Sequence, residues 1–428
     1  MAAVDVLDGR CGVKRVWFGA LLIACVLWSG CSDDESTNDV QPEPDASPSM
    51  DAEGDGQDDP QDAQTEDVPE VPPDADEPRV ESPFEQGIDP TVDGPFAASF
   101  SLRTVQVGER ALPVGVWGPT SADAQAVGLD ALVVPDRAEA MRSLLEQAPQ
   151  DCPTRSLEVA VDGALEAGQW PLVVYSHCHE CLGVSGATVA RRLATWGHVV
   201  LVPDHVGNTL WDAQDGTGVP LGAEFLEVRG NDVSGLIDAV EAGSEPLQDV
   251  SAQVNLLRVG VVGHSFGAVT AGWVAERDGR VDAAMAIAAP IENLLLPGVT
   301  AANVTIPTVM MVAVEDNSIF EIGNRFLREN YEALGGPAVK VEVADAGHWS
   351  VSDVCGLVEA FVAGCGEGER QTDGMPFEYM EPVVGRAVTA SWAVALFGGQ
   401  LHSDASAQQW LLEAPDDDVM QVLRRQWP

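Results

Sequence analysis

Leu256-Leu257-Arg258-Val259-Gly260-Val261-Val262 runs straight into Gly263-His264-Ser265-Phe266-Gly267, and Ala268-Val269-Thr270-Ala271-Gly272 runs straight out. A short, continuous apolar stretch is a strand buried on both faces, and the small residues that follow suit a helix packed close to its neighbours. Turning from strand to helix within so few residues strains the serine backbone. It also leaves no room for side chains two positions either side, hence both glycines. Such a turn holds the Ser265 hydroxyl out at the top of a sheet, beside a helix N-terminus.

The rest of the chain from about residue 91 repeats the alternation of strands and helices. Ser99–Val107 and Pro113–Trp117 read as an antiparallel pair. Leu172–Ser176, His198–Val202, Arg258–Val262, Val281–Ala288, Thr308–Val314 and Val339–Ala344 read as further strands. Between and after them, helices are expected over Ala187–Trp196, Ala223–Ala242, Phe266–Arg277, Ile319–Ala333 and Val383–Phe397. Val/Leu/Ile runs separated by helices predict one α/β domain, with a mostly parallel sheet covered on both faces. No internal repeat is visible.

A serine hydroxyl needs a neutral imidazole to take its proton, and a carboxylate to orient that imidazole. Downstream of Ser265 the histidines are His348 and His402. His348 follows the strand Val339–Ala344 and so falls at the same sheet edge as Ser265, whereas His402 sits in a polar stretch that suits a surface position. Glu315 and Asp316 follow Thr308–Val314; Asp316 is the expected acid, with Glu315 capping or solvated. Asp345 is too near His348 in sequence to reach the far nitrogen. One backbone N–H for the tetrahedral intermediate is expected from Phe266, the residue after the serine, and a second from the loop after Leu172–Ser176.

Val173–His177, the stretch Val202-Pro203-Asp204-His205-Val206-Gly207-Asn208-Thr209, Gly263–Gly267 and Ala346-Gly347-His348 together resemble the platelet-activating-factor acetylhydrolase and dienelactone-hydrolase-like branch of the α/β-hydrolases. Asp93-Gly94-Pro95-Phe96 resembles the start of that domain, so the likeness runs from about Pro90 to the C-terminus. It implies the α/β-hydrolase fold, Ser265 as nucleophile, Asp316 as acid, His348 as base and the His179 backbone as the loop donor. The branch normally has Gly where this chain has Cys178, and dienelactone hydrolases use a cysteine nucleophile where this chain has Ser265. The serine favours ordinary ester cleavage.

Charge and the N-terminus concern location. The 428 residues carry a formal charge of −46, which excludes a nucleic-acid binder working through a basic face. Residues 32–90 hold 21 Asp/Glu against one base, Arg79, and few large apolar side chains, the composition of a disordered, self-repelling linker. Ahead of it, Arg10, Lys14 and Arg15 precede an apolar stretch from Val16 to Leu27, too short for a membrane span, and Ser29-Gly30-Cys31. This resembles a bacterial lipoprotein signal, residues 1–31, with Cys31 the expected lipidation site and Cys25 its competitor. The resemblance implies an exported protein in the cell envelope, touching the membrane through a lipid anchor alone.

An exported compartment permits disulfides. Cys355 and Cys365 lie ten apart around the segment after His348, and a bridge there would brace the histidine; Cys152 is left to pair with Cys178 or Cys181. His177-Cys178-His179-Glu180-Cys181 invites a zinc site, but adjacent ligands diverge and no second ligand pair stands at a suitable spacing. The expectation is therefore a monomeric serine esterase or acetylhydrolase of residues 91–428 acting on a small-molecule or lipid ester, with no metal, cofactor or nucleic acid. Alternatives are a thioesterase or peptidase on the same fold, and a binding protein on an inactive scaffold. Trp211 and Trp349 could line an acyl site or belong to the core.

Overall fold

The computed structural model describes residues 82–414, 418–425 and 427. The signal segment, Cys25, Cys31 and most of the acidic linker lie outside the described residues. In chain order the strands are β1 (Ala97–Val107), β2 (Arg110–Thr120), β3 (Gln125–Val127), β4 (Leu157–Val161), β5 (Trp170–Ser176), β6 (Val199–Pro203), β7 (Val254–His264), β8 (Val281–Ile287), β9 (Thr308–Ala313), β10 (Ala338–Val343), β11 (Glu367–Glu369), β12 (Pro376–Glu378) and β13 (Met420–Arg425). The helices are α1 (Ala138–Gln147), α2 (Ala187–Thr195), α3 (Leu210–Asp215), α4 (Ala223–Glu241), α5 (Gln248–Ser251), α6 (Phe266–Arg277), α7 (Phe320–Ala333), α8 (Pro382–Leu401) and α9 (Ala405–Glu413).

Eleven of these strands form one sheet in the order β13-β10-β9-β8-β7-β5-β6-β2-β1-β4-β3. The stretch from β10 to β6 is parallel throughout, and β2 and β13 border it antiparallel. Every residue of β5 and of β9 is buried. At about 1.5–3 kcal/mol for each fully buried Val, Leu, Ile or Met, these strands are held by their two covered faces. One cover is α8, opened by Pro382 at its first turn and almost wholly buried from Thr389 to Leu401. Its Phe397 ring lies against Gly260 of β7, where a Cβ would come within 2.4 Å of the ring. The sheet puts the C-terminal ends of β5, β7, β9 and β10 along one edge, and the loops that follow them carry the chemistry.

The strands and helices expected from the apolar pattern are present with shifted ends. Unforeseen are α1, β3, β4, α3, α5, the β11–β12 hairpin, α9 and β13, and the last makes β10 an interior strand. The domain also begins before residue 91. Phe84 packs edge-on to Trp196 at 5.2 Å, and Ile88, buried, donates its N–H to Asp404 Oδ1 at 3.0 Å. Residues 82–90 therefore belong to the folded body at the end of a sequence that reads as linker. His402 departs from the surface position expected of it: it is buried, stacks edge-on to His198 at 4.5 Å and bonds the Trp196 carbonyl through Nε2 at 3.1 Å.

Candidate active site

At the end of β7 the chain reverses into α6 within the expected turn. Ser265 sits at φ 58°, ψ −120°, a conformation that costs a non-glycine residue of order 1–3 kcal/mol. Its N–H donates to the Ile287 carbonyl of β8 at 2.8 Å, which ties the strained residue to the sheet. A Cβ on Gly263 would stand 1.9 Å from the Gly267 carbonyl oxygen, and one on Gly267 would stand 1.9 Å from that of Ser176. Both glycines are thus required by the backbone atoms they touch.

The structure brings Ser265, His348 and Asp316 together. His348 Nε2 is 2.9 Å from Ser265 Oγ, and His348 Nδ1 is 2.7 Å from Asp316 Oδ2. His348 and Asp316 are both buried. Asp316 Oδ1 accepts the N–H groups of Ser318 and Ile319 at 2.9 and 3.0 Å, so one carboxylate oxygen is anchored to the backbone and the other is left for the imidazole. The ring of His264 lies 4.9 Å from that of His348, and its Nε2 bonds the His348 carbonyl at 2.9 Å.

Glu315, expected to cap or to face solvent, does neither. It is buried, meets Arg370 at 2.8 Å and accepts the Gln371 N–H at 2.9 Å. Arg370 also reaches Asp345 at 2.8 Å, so one guanidinium joins the loop after β9 to the loop after β10. Asn317 adds to the clamp by donating to the Glu369 carbonyl and to the Tyr379 hydroxyl. The Glu315 N–H donates directly to the Ala346 carbonyl at 2.9 Å. The acid and base loops are therefore held to each other and to the β11–β12 hairpin.

The expected Cys355–Cys365 bridge is not formed. Cys365 pairs with Cys152, and Cys178 pairs with Cys181. Cys355 is a free thiol facing the core, and burial pushes its pKa up to about 12. The segment after His348 folds back so that Cys365, not Cys355, reaches the loop before β4. The bracing role passes to the observed pair. Just ahead of Cys365, the Ala363 carbonyl accepts the Trp349 N–H at 2.9 Å, and the Gly364 carbonyl accepts the Ser350 hydroxyl at 2.6 Å.

The loop after β5 carries His177 through Cys181. The Cys178–Cys181 bridge closes a short ring around His179 and Glu180, and Glu180 takes a left-handed φ of 51°. With both cysteines consumed, a zinc site has lost half its ligands, and no cluster of potential metal ligands occurs among the described residues. His179 stands beside Phe266, with ring centroids 6.2 Å apart. Among the described residues, neither the Phe266 nor the His179 backbone N–H has a protein acceptor. Trp349 and Trp211 are both buried, and Trp349 stacks against His348, His264 and Phe361. Among the described residues, neither indole N–H has a partner.

Sequence reasoning missed the polar network beneath this loop. His205 Nδ1 meets Asp232 Oδ2 at 2.9 Å, and its Nε2 meets Ser176 Oγ at 3.0 Å. Arg110 pairs with Asp232 at 2.7 Å. Arg229, fully buried, donates to Ser176 Oγ at 2.9 Å, to Asn208 Oδ1 at 2.8 Å and to the His177 carbonyl. The available signal was Arg229 and Asp232, two charged residues inside the apolar face that Phe225, Leu226, Val233 and Leu236 give α4. Charges so placed are paired or functional.

A mostly parallel sheet wrapped by helices, with a serine at a strand-to-helix turn and an aspartate and a histidine at neighbouring strand ends, defines an α/β-hydrolase. Residues 159–348 match the Dienelactone hydrolase family, a span that includes Ser265, Asp316 and His348. Over those residues the chain is similar to that family, and it is a carboxylic ester hydrolase by class. Among solved structures it is similar to a ferulic acid esterase from Streptomyces cinnamoneus, at 19% identity and a TM-score of 0.54, over 77% of this chain and 96% of that one. That likeness carries the fold. No curated protein matches the chain.

Proposed function

We propose that the protein cleaves small carboxylic esters of acetylhydrolase or carboxylesterase type by a Ser-His-Asp mechanism. Ser265 attacks the acyl carbonyl while His348 Nε2 takes its proton. Asp316 holds the imidazole in the tautomer that leaves Nε2 free and stabilises the imidazolium that forms. The oxyanion is received by the Phe266 and His179 backbone N–H groups. His348 then passes the proton to the leaving alkoxide, and water releases the acyl group by the same steps in reverse order. The observation that carries this reading is the unbroken pair of contacts Ser265 Oγ to His348 Nε2 and His348 Nδ1 to Asp316, at 2.9 and 2.7 Å. Replacing the nucleophile costs several orders of magnitude in turnover. Ser265→Ala is therefore expected to abolish hydrolysis of p-nitrophenyl acetate with the fold intact. Retention of most of the activity would move the nucleophile elsewhere.

The same reading places the enzyme outside the cytoplasm, anchored through a lipid on Cys31, with the acidic segment as its tether. Two disulfides support an oxidising compartment, since such bonds are rare among cytosolic proteins. Phase partitioning in detergent tests the anchor: the full-length protein enters the detergent phase, and Cys31→Ala enters the aqueous phase with its activity retained.

A further inference from the structure

We propose that Arg229 is a positioning residue for the oxyanion hole, fixing the loop after β5 and, through Asn208, the rotamer and tautomer of His179. This rests on the esterase reading above and adds a residue to it. The guanidinium reaches a neighbour of each donor of the hole. Its Cζ lies 4.5 Å from the centre of the Phe266 ring, the side chain of one donor residue, and it donates to the carbonyl of His177, two residues before the other.

The directions of the bonds follow from chemistry. Arginine only donates, so the Asn208 atom facing it at 2.8 Å is the carbonyl oxygen. The Asn208 NH₂ group therefore faces His179 Nδ1, at 2.6 Å, and must donate to it. Nδ1 is then the unprotonated nitrogen of a neutral ring, and Nε2 carries the hydrogen. Burial acts the same way, holding the His179 pKa below its ordinary value.

The far end of the network is equally directed. The His205 N–H donates to His177 Nε2 at 3.0 Å, so His177 Nδ1 donates to the Cys178 carbonyl at 2.7 Å. Ser176, His177 and Cys178 are each held by a directed bond, and the Cys178–Cys181 bridge closes the ring that bears His179. The Arg229 pKa, lowered by burial to about 9, still leaves the side chain charged at neutral pH. A fixed cation behind the hole favours the negative charge that develops there, and donors held in place need no reorganisation at the moment of reaction.

The test compares Arg229→Gln and Asn208→Ala with the wild type in the disulfide-bonded protein. Three readouts are taken: kcat and KM on p-nitrophenyl acetate, the inhibition constant of an alkyl boronic acid as tetrahedral mimic, and the His179 tautomer by nitrogen-15 NMR. Removing an oxyanion donor costs ~10²–10³ in kcat, so loosening one is expected to cost about ten- to a hundredfold. KM should move less than about threefold, and boronate affinity should fall in step with kcat. The wild-type ring is expected as the Nε2–H tautomer, and Asn208→Ala should release it.

Wild-type kcat and boronate affinity in a folded Arg229→Gln, or an Nδ1–H tautomer in the wild type, overturns the proposal. If Arg229→Gln does not fold, Asn208→Ala, which keeps the cation, decides by the same three readouts. A wild type that hydrolyses no ester overturns the proposed function instead, and the tautomer still reports on the positioning.

Discussion

Removing the Cys152–Cys365 bridge gives the sharpest stability test, because the two possible pairings differ in the length of chain they close. The observed bridge spans 213 residues, whereas a Cys355–Cys365 bridge would span ten. The loop-entropy relation gives about 5 kcal/mol for the long loop and about 3 for the short one, and measured effects commonly fall below that ceiling. We expect Cys152→Ser and Cys365→Ser each to cost about 3–5 kcal/mol. With an unfolding entropy of ~2.1 cal/mol/K per residue over the described domain, that is about 4–7 °C in Tm by scanning calorimetry. Cys355→Ala removes only a buried sulfur and should cost about 1–2 kcal/mol. Activity should fall severalfold on losing the bridge, since the residues just before Cys365 hold the loop of His348. A large drop with Cys355→Ala and Cys365→Ser but none with Cys152→Ser would refute this pairing, as would a Cys355–Cys365 peptide in a non-reducing digest.

Asp316→Asn is expected to lower kcat by ~10³–10⁴, because the amide fixes the wrong imidazole tautomer. Glu315→Gln should lower kcat less than tenfold but reduce Tm by several degrees, because it leaves Arg370 without one of its two carboxylates; the reverse ranking in steady-state kinetics would exchange their roles. Gly267→Ala should abolish folding or activity altogether, since its Cβ would fall 1.9 Å from a carbonyl oxygen; a stable, active variant by circular dichroism and ester assay would contradict the tight turn.

What was legible in the sequence was whatever depends on local pattern. β6, β9 and the centres of β5 and β7 are short apolar runs, and the turn at Ser265 betrays itself by two glycines that backbone contacts demand. The chain order serine, acid, histidine belongs to this kind of fold, and the loops that leave the sheet edge beside Ser265 then picked out Asp316 and His348. What stayed hidden depends on through-space partners. The hairpin Glu367–Glu378 is charged and short, so nothing in its pattern marks it as a strand pair, yet Arg370 ties it to both site loops. Disulfide pairing followed sequence nearness to Cys355, while the fold carries Cys365 to Cys152 and turns Cys355 inward. His402 follows a long apolar helix and reads as exposed, but Phe84 and His198 close over it from distant segments. Arg229 and Asp232 were visible as charges on an apolar helix face, and their partners come from the end of β5 (Ser176) and the loop after β6 (His205 and Asn208).

The central claim is that Ser265, activated by His348, is the nucleophile. A fluorophosphonate reacts only with a serine so activated, and the adduct stays on the attacking oxygen. Mass mapping of the labelled, digested protein should place one phosphonyl group on the peptide containing Ser265, with labelling lost in Ser265→Ala and strongly slowed in His348→Ala. A label on any other serine, or undiminished labelling of Ser265→Ala, would contradict the account.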